Sequence, residues 1–478
     1  MPELKQSQLV PSTPVLCVDL DGTLVKGNTL VEASFALLRS NPWMLGHLCL
    51  WWLRGHAYLW EQVARRTPLN VNLLPLRPEV IEMISKRQRD GDEVVLVTGC
   101  HEILAARIAE RLKCFSGVYA TEGKTHLVGK AKATLLKDLF GTGGFDYIGD
   151  AAKDRVIWDA ARRKFVVGRY RPPATVERLG RTSGEPSSLL KSIWRSLRPH
   201  QWAKNGLVFL PLLLSHRYRE ASALLQTAAA ALLFCLASSS VYLWNDLLDL
   251  EADRRHPVKK NRPLPNSDIP ILLAIGLSVA LAVAAVGGSW LLSPSLAGVI
   301  GLYIATSTAY SFWLKKLLTV DVVVLACLYV IRLVAGGVAT GIPLSFWTLA
   351  FSLFFFFSLA LAKRYSELRN RSDRSDEHTH RRAYAVPDLT QVNILGIASG
   401  LVAVCFVGLY INGLEVRQLY SHPDLLWFIC PLILDWCSRL WILAGRGELN
   451  EDPVVFAIRD RRSYITGALL VLVVAAAI

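Results

Sequence analysis

Asp19 and Asp21 stand two residues apart at the end of an apolar run, Pro14-Val-Leu-Cys-Val. A carboxylate at the end of a buried strand can attack phosphorus and carry it as an acyl phosphate. A second carboxylate two residues on can protonate the leaving oxygen. An anionic nucleophile and an anionic phosphate repel, so such a pair calls for a divalent cation. Thr98 supplies a hydroxyl donor, Lys132 a cation and Asp150 a further metal ligand. Asp19, Asp21, Thr98 and Lys132 are therefore read as one catalytic group, with Asp19, Asp21 and Asp150 as its metal ligands. Backbone N–H groups around Asp21 to Thr23 can hold phosphate oxygens.

A second acidic set lies far downstream. Asp246, Asp249 and Asp253 are spaced i, i+3 and i+7 at the end of a long apolar segment, which puts them on one helix face. Three anions on one face repel unless a cation bridges them. Hard carboxylate oxygens suit Mg²⁺, which can in turn hold a diphosphate. Arg254, Arg255, His256, Lys259, Lys260 and Arg262 follow at once. Acid for metal beside base for phosphate makes a polyanion site.

The elements that must carry these groups differ between the two halves. Residues 14–24, 93–99 and 145–150 each read as a short apolar strand ending in polar residues, with helical patterns at 77–90, 101–113, 129–139 and 151–163. Alternating strands and helices predict a Rossmann-like α/β domain with a parallel sheet and chemistry at the strand C-terminal ends. Residues 27–75, apolar and Trp-rich, interrupt the alternation and read as a small helical cap. Its aromatic stripe is either core or a membrane-facing surface. The organisation expected is a tail at 1–13, a phosphatase domain at 14–167, a linker at 168–190 and an all-α polytopic membrane bundle at 191–478. About nine apolar segments fall in the last part, roughly 205–216, 222–244, 269–292, 295–314, 319–341, 344–362, 391–413, 424–444 and 463–478, most near the roughly 20 residues a spanning helix needs. Loops on one side hold eighteen Lys and Arg against three on the other. By the positive-inside rule the basic loops and the N-terminal domain share the cytoplasmic side.

Bulk composition agrees. The hydrophobic fraction is 52% and the mean hydropathy +0.33, too apolar for an ordinary soluble protein. A net charge of +14 is assigned to lipid and phosphate rather than nucleic acid, because the basic residues cluster between apolar runs. The nine Cys include no C-x-x-C pair and read as reduced, mostly buried thiols. The polar first 14 residues predict no signal peptide. The location expected is a bacterial inner membrane, with both sets of site loops in the cytoplasm.

The first half resembles the haloacid dehalogenase phosphatase family, in its phosphoserine-phosphatase-like branch. The resemblance covers about 14–165 and rests on Asp19-x-Asp21-Gly-Thr, Thr98-Gly, Lys132 in Gly-Lys-Ala-Lys, and Gly149-Asp150-x-x-x-Asp154. Lys130 is a rival for the lysine role. The pattern departs at Ala151, where the family often has Ser or Thr. The second half, about 190–478, resembles the UbiA superfamily through Asn245-Asp246-x-x-Asp249-x-x-x-Asp253-x-x-His256-Pro257-x-Lys259-x-x-Arg262-Pro263. Within it the chain resembles the decaprenyl-phosphate phosphoribosyltransferase branch more closely. Four further stretches carry that likeness: Leu197 to Asn205, Tyr310 to Lys315, Lys363 to Glu367, and Arg446 to Phe456. In the region where many members have a second Asp-x-x-x-Asp, this chain has Asp321 alone, which speaks against a donor that needs two full Asp motifs.

The resemblance implies a reaction. The phosphate of a polyprenyl phosphate attacks the anomeric carbon of phosphoribosyl pyrophosphate, and pyrophosphate leaves. Mg²⁺ on Asp246, Asp249 and Asp253 would hold the pyrophosphate. Gln201, Lys204, Asn205, Asn245, Lys259, Arg262, Tyr310, Lys315, Asp321, Lys363 and Arg364 would bind the substrates. The fused phosphatase would then remove the 5-phosphate, leaving a lipid-linked pentose. The partners implied are those two substrates and membrane lipid, with no nucleic acid; homo-oligomerisation stays open. Two alternatives stand beside this: a prenyltransferase acting on an aromatic acceptor, and a phosphatase-like domain that only docks.

Overall fold

The computed structural model describes residues 14–122, 126–180, 188–372, 383–449 and 453–478. The expected tail, the centre of the linker and residues 450–452 of the last motif lie outside them. The chain divides into two compact units. One is Met1–Leu197 with Asp246–Gly276, the other Arg198–Asn245 with Leu277–Ile478. The acidic segment after Asp246 thus packs with the N-terminal domain.

The first unit is built on a parallel six-stranded sheet in the order β3-β2-β1-β4-β5-β6. The strands are β1 (Val15–Val18), β2 (Val94–His101), β3 (Gly117–Thr121), β4 (Phe145–Gly149), β5 (Lys164–Val166) and β6 (Glu177–Arg178). Alternation along each strand feeds two cores. Leu16, Val18, Leu96 and Ile148 pack on one face, and Val15, Cys17, Val95, Val97 and Tyr147 on the other. Near-continuous apolar strands are what burial on both faces requires. The order reverses at β1, which pairs with β2 through Leu16–Val94 and with β4 through Val15–Phe145. A crevice opens at such a switch point, at the strand C-terminal ends. β6 lies inside the stretch expected as linker. Its two residues are too few to show a period, and Val176 beside it is buried.

The cap consists of helices Thr29–Ser40, Met44–Leu53 and His56–Arg66. Its tryptophans divide between buried and exposed positions. Trp51 and Trp60 join the domain core, whereas Trp43 and Trp52 are 88% and 65% exposed. One polar feature crosses the sheet: Asp146 on β4 is fully buried and paired with Arg87 and Arg162.

The second unit is helical. Among the described residues, seven helices of the chain are long and apolar enough to cross a membrane: Ala221–Leu248, Ile271–Leu292, Pro294–Phe312, Val320–Thr340, Phe346–Asn370, Val386–Ile411 and Pro423–Arg446. The chain is a multi-pass membrane protein. Nine segments were expected. The first of them folds as a 3₁₀ stretch, Pro199–Phe209, followed by the short helix Leu210–Leu214. The last is a 17-residue helix, Arg461–Ala477. Hydropathy reads apolarity, and Pro199 and Pro211 decide helix length there. Arg439 pairs with Asp460 at 2.6 Å and ties helix Ile429–Arg446 to the start of the last helix.

Candidate functional site

Asp19 follows β1 directly and is 2% exposed. Its Oδ1 accepts hydrogen bonds from Lys132 Nζ at 2.7 Å and from the Leu20 amide at 2.8 Å. The helix Lys130–Phe140 aims Lys132 inward, where it also donates to the Val97 carbonyl, while Lys130 is exposed. Of the two lysines, Lys132 is the one in contact with Asp19. Thr98 is fully buried on β2, and its hydroxyl accepts from the Cys100 amide. Asp21 Oδ1 accepts from the Thr29 amide at 2.6 Å. Burial pushes the Asp21 carboxyl up to about 6.

Asp150 ends β4. Its carboxyl is pushed up to about 7 by burial and by the neighbouring Asp19 and Asp154 carboxylates. Gly22 sits at φ +78°, and a Cβ there would run into the Asp150 carboxylate. Glycine is needed for both the left-handed turn and the close approach. Asp154 lies one helical turn on, and its Oδ2 accepts from the Asp150 and Ala151 amides at 3.0 and 3.1 Å. Among the described residues, one trio of acidic side chains brings ligand atoms within 4.8 Å of one another, namely Asp19, Asp150 and Asp154. Asp19 Oδ2 and Asp150 Oδ1 are buried without a hydrogen-bond partner. Two orphaned carboxylate oxygens in a group of three fit a hard divalent cation. Sequence reasoning assigned that place to Asp21, which turns to Thr29, and gave Asp154 no role. Its spacing of four from Asp150, after a glycine, was the available signal.

The second acidic set lies in the same unit. Helix Ala221–Leu248 ends before Asp249, and a short helix, Leu250–Arg255, resumes after it. The single continuous helix face expected is therefore interrupted. Asp246 and Asp253 nevertheless converge, each 4% exposed. Arg262 reaches Asp253 at 2.7 Å and Asp246 at 3.4 Å, with Lys259 3.9 Å from Asp253. Among the described residues these three Asp do not close to the spacing of the Asp19 trio. Like charges around one guanidinium settle about it rather than against each other. Two buried carboxylates facing the half-buried Arg262 fit a metal-bound polyanion arriving beside it.

The remaining predicted residues lie in the helical unit. Asn245 accepts from the Ser311 hydroxyl. Asn205 is buried, donates to Ser238 and accepts from Arg332 at 2.9 Å. Arg332 stacks among Phe234, Tyr303 and Tyr329, and Lys204 lies over the same Tyr329 ring. Gln201, Lys315 and Lys363 are half-buried. Tyr310, Asp321 and Arg364, expected as separate substrate contacts, bind one another. Tyr310 donates to Asp321 at 2.6 Å, and Arg364 reaches both, together with Glu367. Asp321 is fully buried. A buried charge needs a partner, and this pairing supplies it.

The UbiA prenyltransferase family model matches residues 208–434, and that of the haloacid dehalogenase-like hydrolases residues 16–168. A Mycobacterium tuberculosis protein named decaprenyl-phosphate phosphoribosyltransferase is 34% identical over 281 residues, covering 58% of this chain and 90% of that one. The chain belongs to the UbiA prenyltransferase family, with a haloacid dehalogenase-like hydrolase domain ahead of it. The fused arrangement recurs in length: the uncharacterized protein y4nM of Sinorhizobium fredii is 34% identical over 467 residues, 96% of this chain and 89% of that one. The nodulation protein NoeC of Azorhizobium caulinodans is 32% identical over 272 residues, 56% of this chain and 87% of that one. The UbiA-family part carries the Asp246 to Arg262 segment, and the hydrolase part carries the Asp19 trio. The molecule is an enzyme with a transferase domain and a hydrolase-family domain.

Proposed function

We propose that the transferase domain moves 5-phosphoribose from phosphoribosyl pyrophosphate to a polyprenyl phosphate, and that the hydrolase domain removes the 5-phosphate from the product. The observation that carries this reading is the convergence of buried Asp246 and Asp253 on Arg262, in a chain similar along most of its UbiA part to a named decaprenyl-phosphate phosphoribosyltransferase. In the first step an oxygen of the lipid phosphate bonds to C1 of the ribose, the C1–O bond to pyrophosphate breaks, and pyrophosphate leaves with the electron pair. Asp246, Asp249 and Asp253 would hold Mg²⁺ on the leaving group, with Lys259 and Arg262 on its oxygens. Asn205, Lys204, Gln201, Asn245, Lys315 and Lys363 seat the substrates, while the Tyr310–Asp321–Arg364 group holds the helices that carry them.

In the second step an Asp19 oxygen bonds to phosphorus as the bond to the 5-oxygen breaks, and Asp21 gives that oxygen its proton. Water then attacks the aspartyl phosphate, passes a proton to Asp21 and releases inorganic phosphate. Lys132 holds the Asp19 carboxylate in place. Mg²⁺ at Asp19, Asp150 and Asp154 would offset the charge of the phosphate. Both steps belong on the cytoplasmic side of a bacterial inner membrane, which the loop charge asymmetry supports.

The test is a labelled-donor assay with the full-length protein, Mg²⁺ and polyprenyl phosphate. Ribose label from phosphoribosyl pyrophosphate should enter lipid, first with and then without the 5-phosphate. A prenyl chain appearing on an aromatic acceptor instead would defeat the reading.

A further inference from the structure

The mouth of the hydrolase site is closed partly by the segment that follows Arg262. Two adjoining cavities, about 410 and 580 Å³, share Gly22, Lys26, Asp150, Ser267 and Pro270 as lining. The smaller is lined by Asp21 and Lys153 and also by Ile269, Ile271 and Leu272. Ile271 and Leu272 are the first residues of the spanning-length helix Ile271–Leu292. The larger cavity adds Arg77, Arg169 and Arg178.

Three chemistries therefore meet in one concavity. Asp21 and Asp150 belong to the reacting phosphate. Ile269, Ile271 and Leu272 form an apolar wall at the start of a membrane helix. The third wall is cationic. Lys26 Nζ is held by Asn266 at 2.8 Å and, among the described residues, forms no ion pair. Arg77 is anchored to the Gly22 carbonyl at 3.0 Å, beside the catalytic loop, with Glu79 3.6 Å away. Arg169 donates to the Asp268 carbonyl, and Arg178 is spent on the Gly168 and Tyr170 carbonyls. Beside Asp150, the larger cavity is lined by four cations, Lys26, Arg77, Arg169 and Arg178, and by the acids Glu79 and Asp268. Burial lowers the Lys26 ammonium from its usual value, and an anion beside it would relieve that cost.

We infer that Lys26 and Arg77 form a second anion subsite, so that the hydrolase domain prefers a phosphomonoester whose carrier bears a second phosphate joined to an apolar chain. The inference rests on the hydrolase reading above and adds to it what the domain selects. The 5-phosphate would sit at Asp19, the phosphodiester against Lys26 and Arg77, and the first carbons of the chain along Ile269 to Leu272.

Three probes given to the full-length protein with Mg²⁺ test this by phosphate release. Ribose 5-phosphate has one phosphate. The methyl diester of 5-phosphoribosyl 1-phosphate adds the second. The farnesyl diester adds a short lipid. The expected order of kcat/KM is farnesyl, methyl, then ribose 5-phosphate. A charge-assisted contact is worth about tenfold in binding. Lys26→Gln and Arg77→Gln should each cut the preference for the methyl diester over ribose 5-phosphate by about that factor, through KM. Lys26→Gln leaves the Gly22 anchor of Arg77 intact, so a loss there cannot come from a displaced catalytic loop. Equal handling of the methyl diester and ribose 5-phosphate by the unaltered protein, or an unchanged ratio in both variants, overturns the subsite while the hydrolase reading stands. Phosphate release from no probe, or release that survives Asp19→Asn, overturns the hydrolase reading itself. A methyl diester equal to the farnesyl one would locate selection in the phosphate alone and remove the apolar wall from the proposal.

Discussion

Asp19, Lys132 and the Asp150–Asp154 pair form a closed electrostatic set in which each carboxylate raises the cost of the next. Removing Asp19 charge by Asp19→Asn should lower phosphate release from lipid product by at least about a thousandfold, since loss of a nucleophile leaves only binding and orientation. Ribose transfer to lipid, followed by labelled donor, should continue. Asp246→Asn and Asp253→Asn should do the reverse, abolishing transfer while leaving release from an added monoester in place. Asp146 makes a different prediction, for stability. Burial alone would raise its carboxyl, but hydrogen bonds and charge from Arg162 and Arg87 win and hold it below the usual carboxylate range. A folded-state value below the unfolded one adds stability above the unfolded pKa of about 4 that is lost as pH falls through the folded value. Asp146→Asn should therefore unfold earlier than the parent at pH 7, with the gap narrowing at acid pH, as read by thermal denaturation of the full chain in detergent.

At the scale of elements, the short helix Leu250–Arg255 has two working faces. Asp253 turns toward Arg262, while Glu251 pairs with Arg39 and Arg254 with Glu32 of the cap. The Arg254 and Glu32 side chains are 7% and 3% exposed, and Arg254 also donates to the Pro265 carbonyl. Breaking one partner of a buried pair costs on the order of 3–5 kcal/mol, because the other charge is left without compensation. Glu32→Gln should loosen the 246–276 segment from the cap, seen as faster proteolysis of the loop after Arg255. It should also let the 5-phosphorylated lipid accumulate, although Glu32 touches neither set of reacting atoms. Unchanged proteolysis and no accumulation would assign the pair to stability alone.

At the scale of the whole molecule, two acidic sites on one chain imply a common metal requirement. Chelation by EDTA should bring ribose transfer and phosphate release down together, and MgCl₂ should restore both. A phosphate release that persists in EDTA would remove the metal from the Asp19 trio. Much of this organisation was legible in residue order. Apolar strands ending in Asp19, Thr98 and Asp150 announced the sheet and its reactive edge, because unbroken apolar runs and strand-end polarity are local properties. Long apolar runs and the loop charge asymmetry announced the membrane helices for the same reason. What stayed hidden depended on partners distant in sequence. Nothing local pairs Arg254 with Glu32, turns Tyr310, Asp321 and Arg364 toward one another, or sends Asp21 to Thr29 and Asp154 to the trio. Chemistry of residue types and their periodicity determined which groups this protein brings to bear. Only packing in three dimensions decided which charges neutralise each other inside the fold and which remain for a metal and a phosphate, because burial leaves no charge without a neighbour.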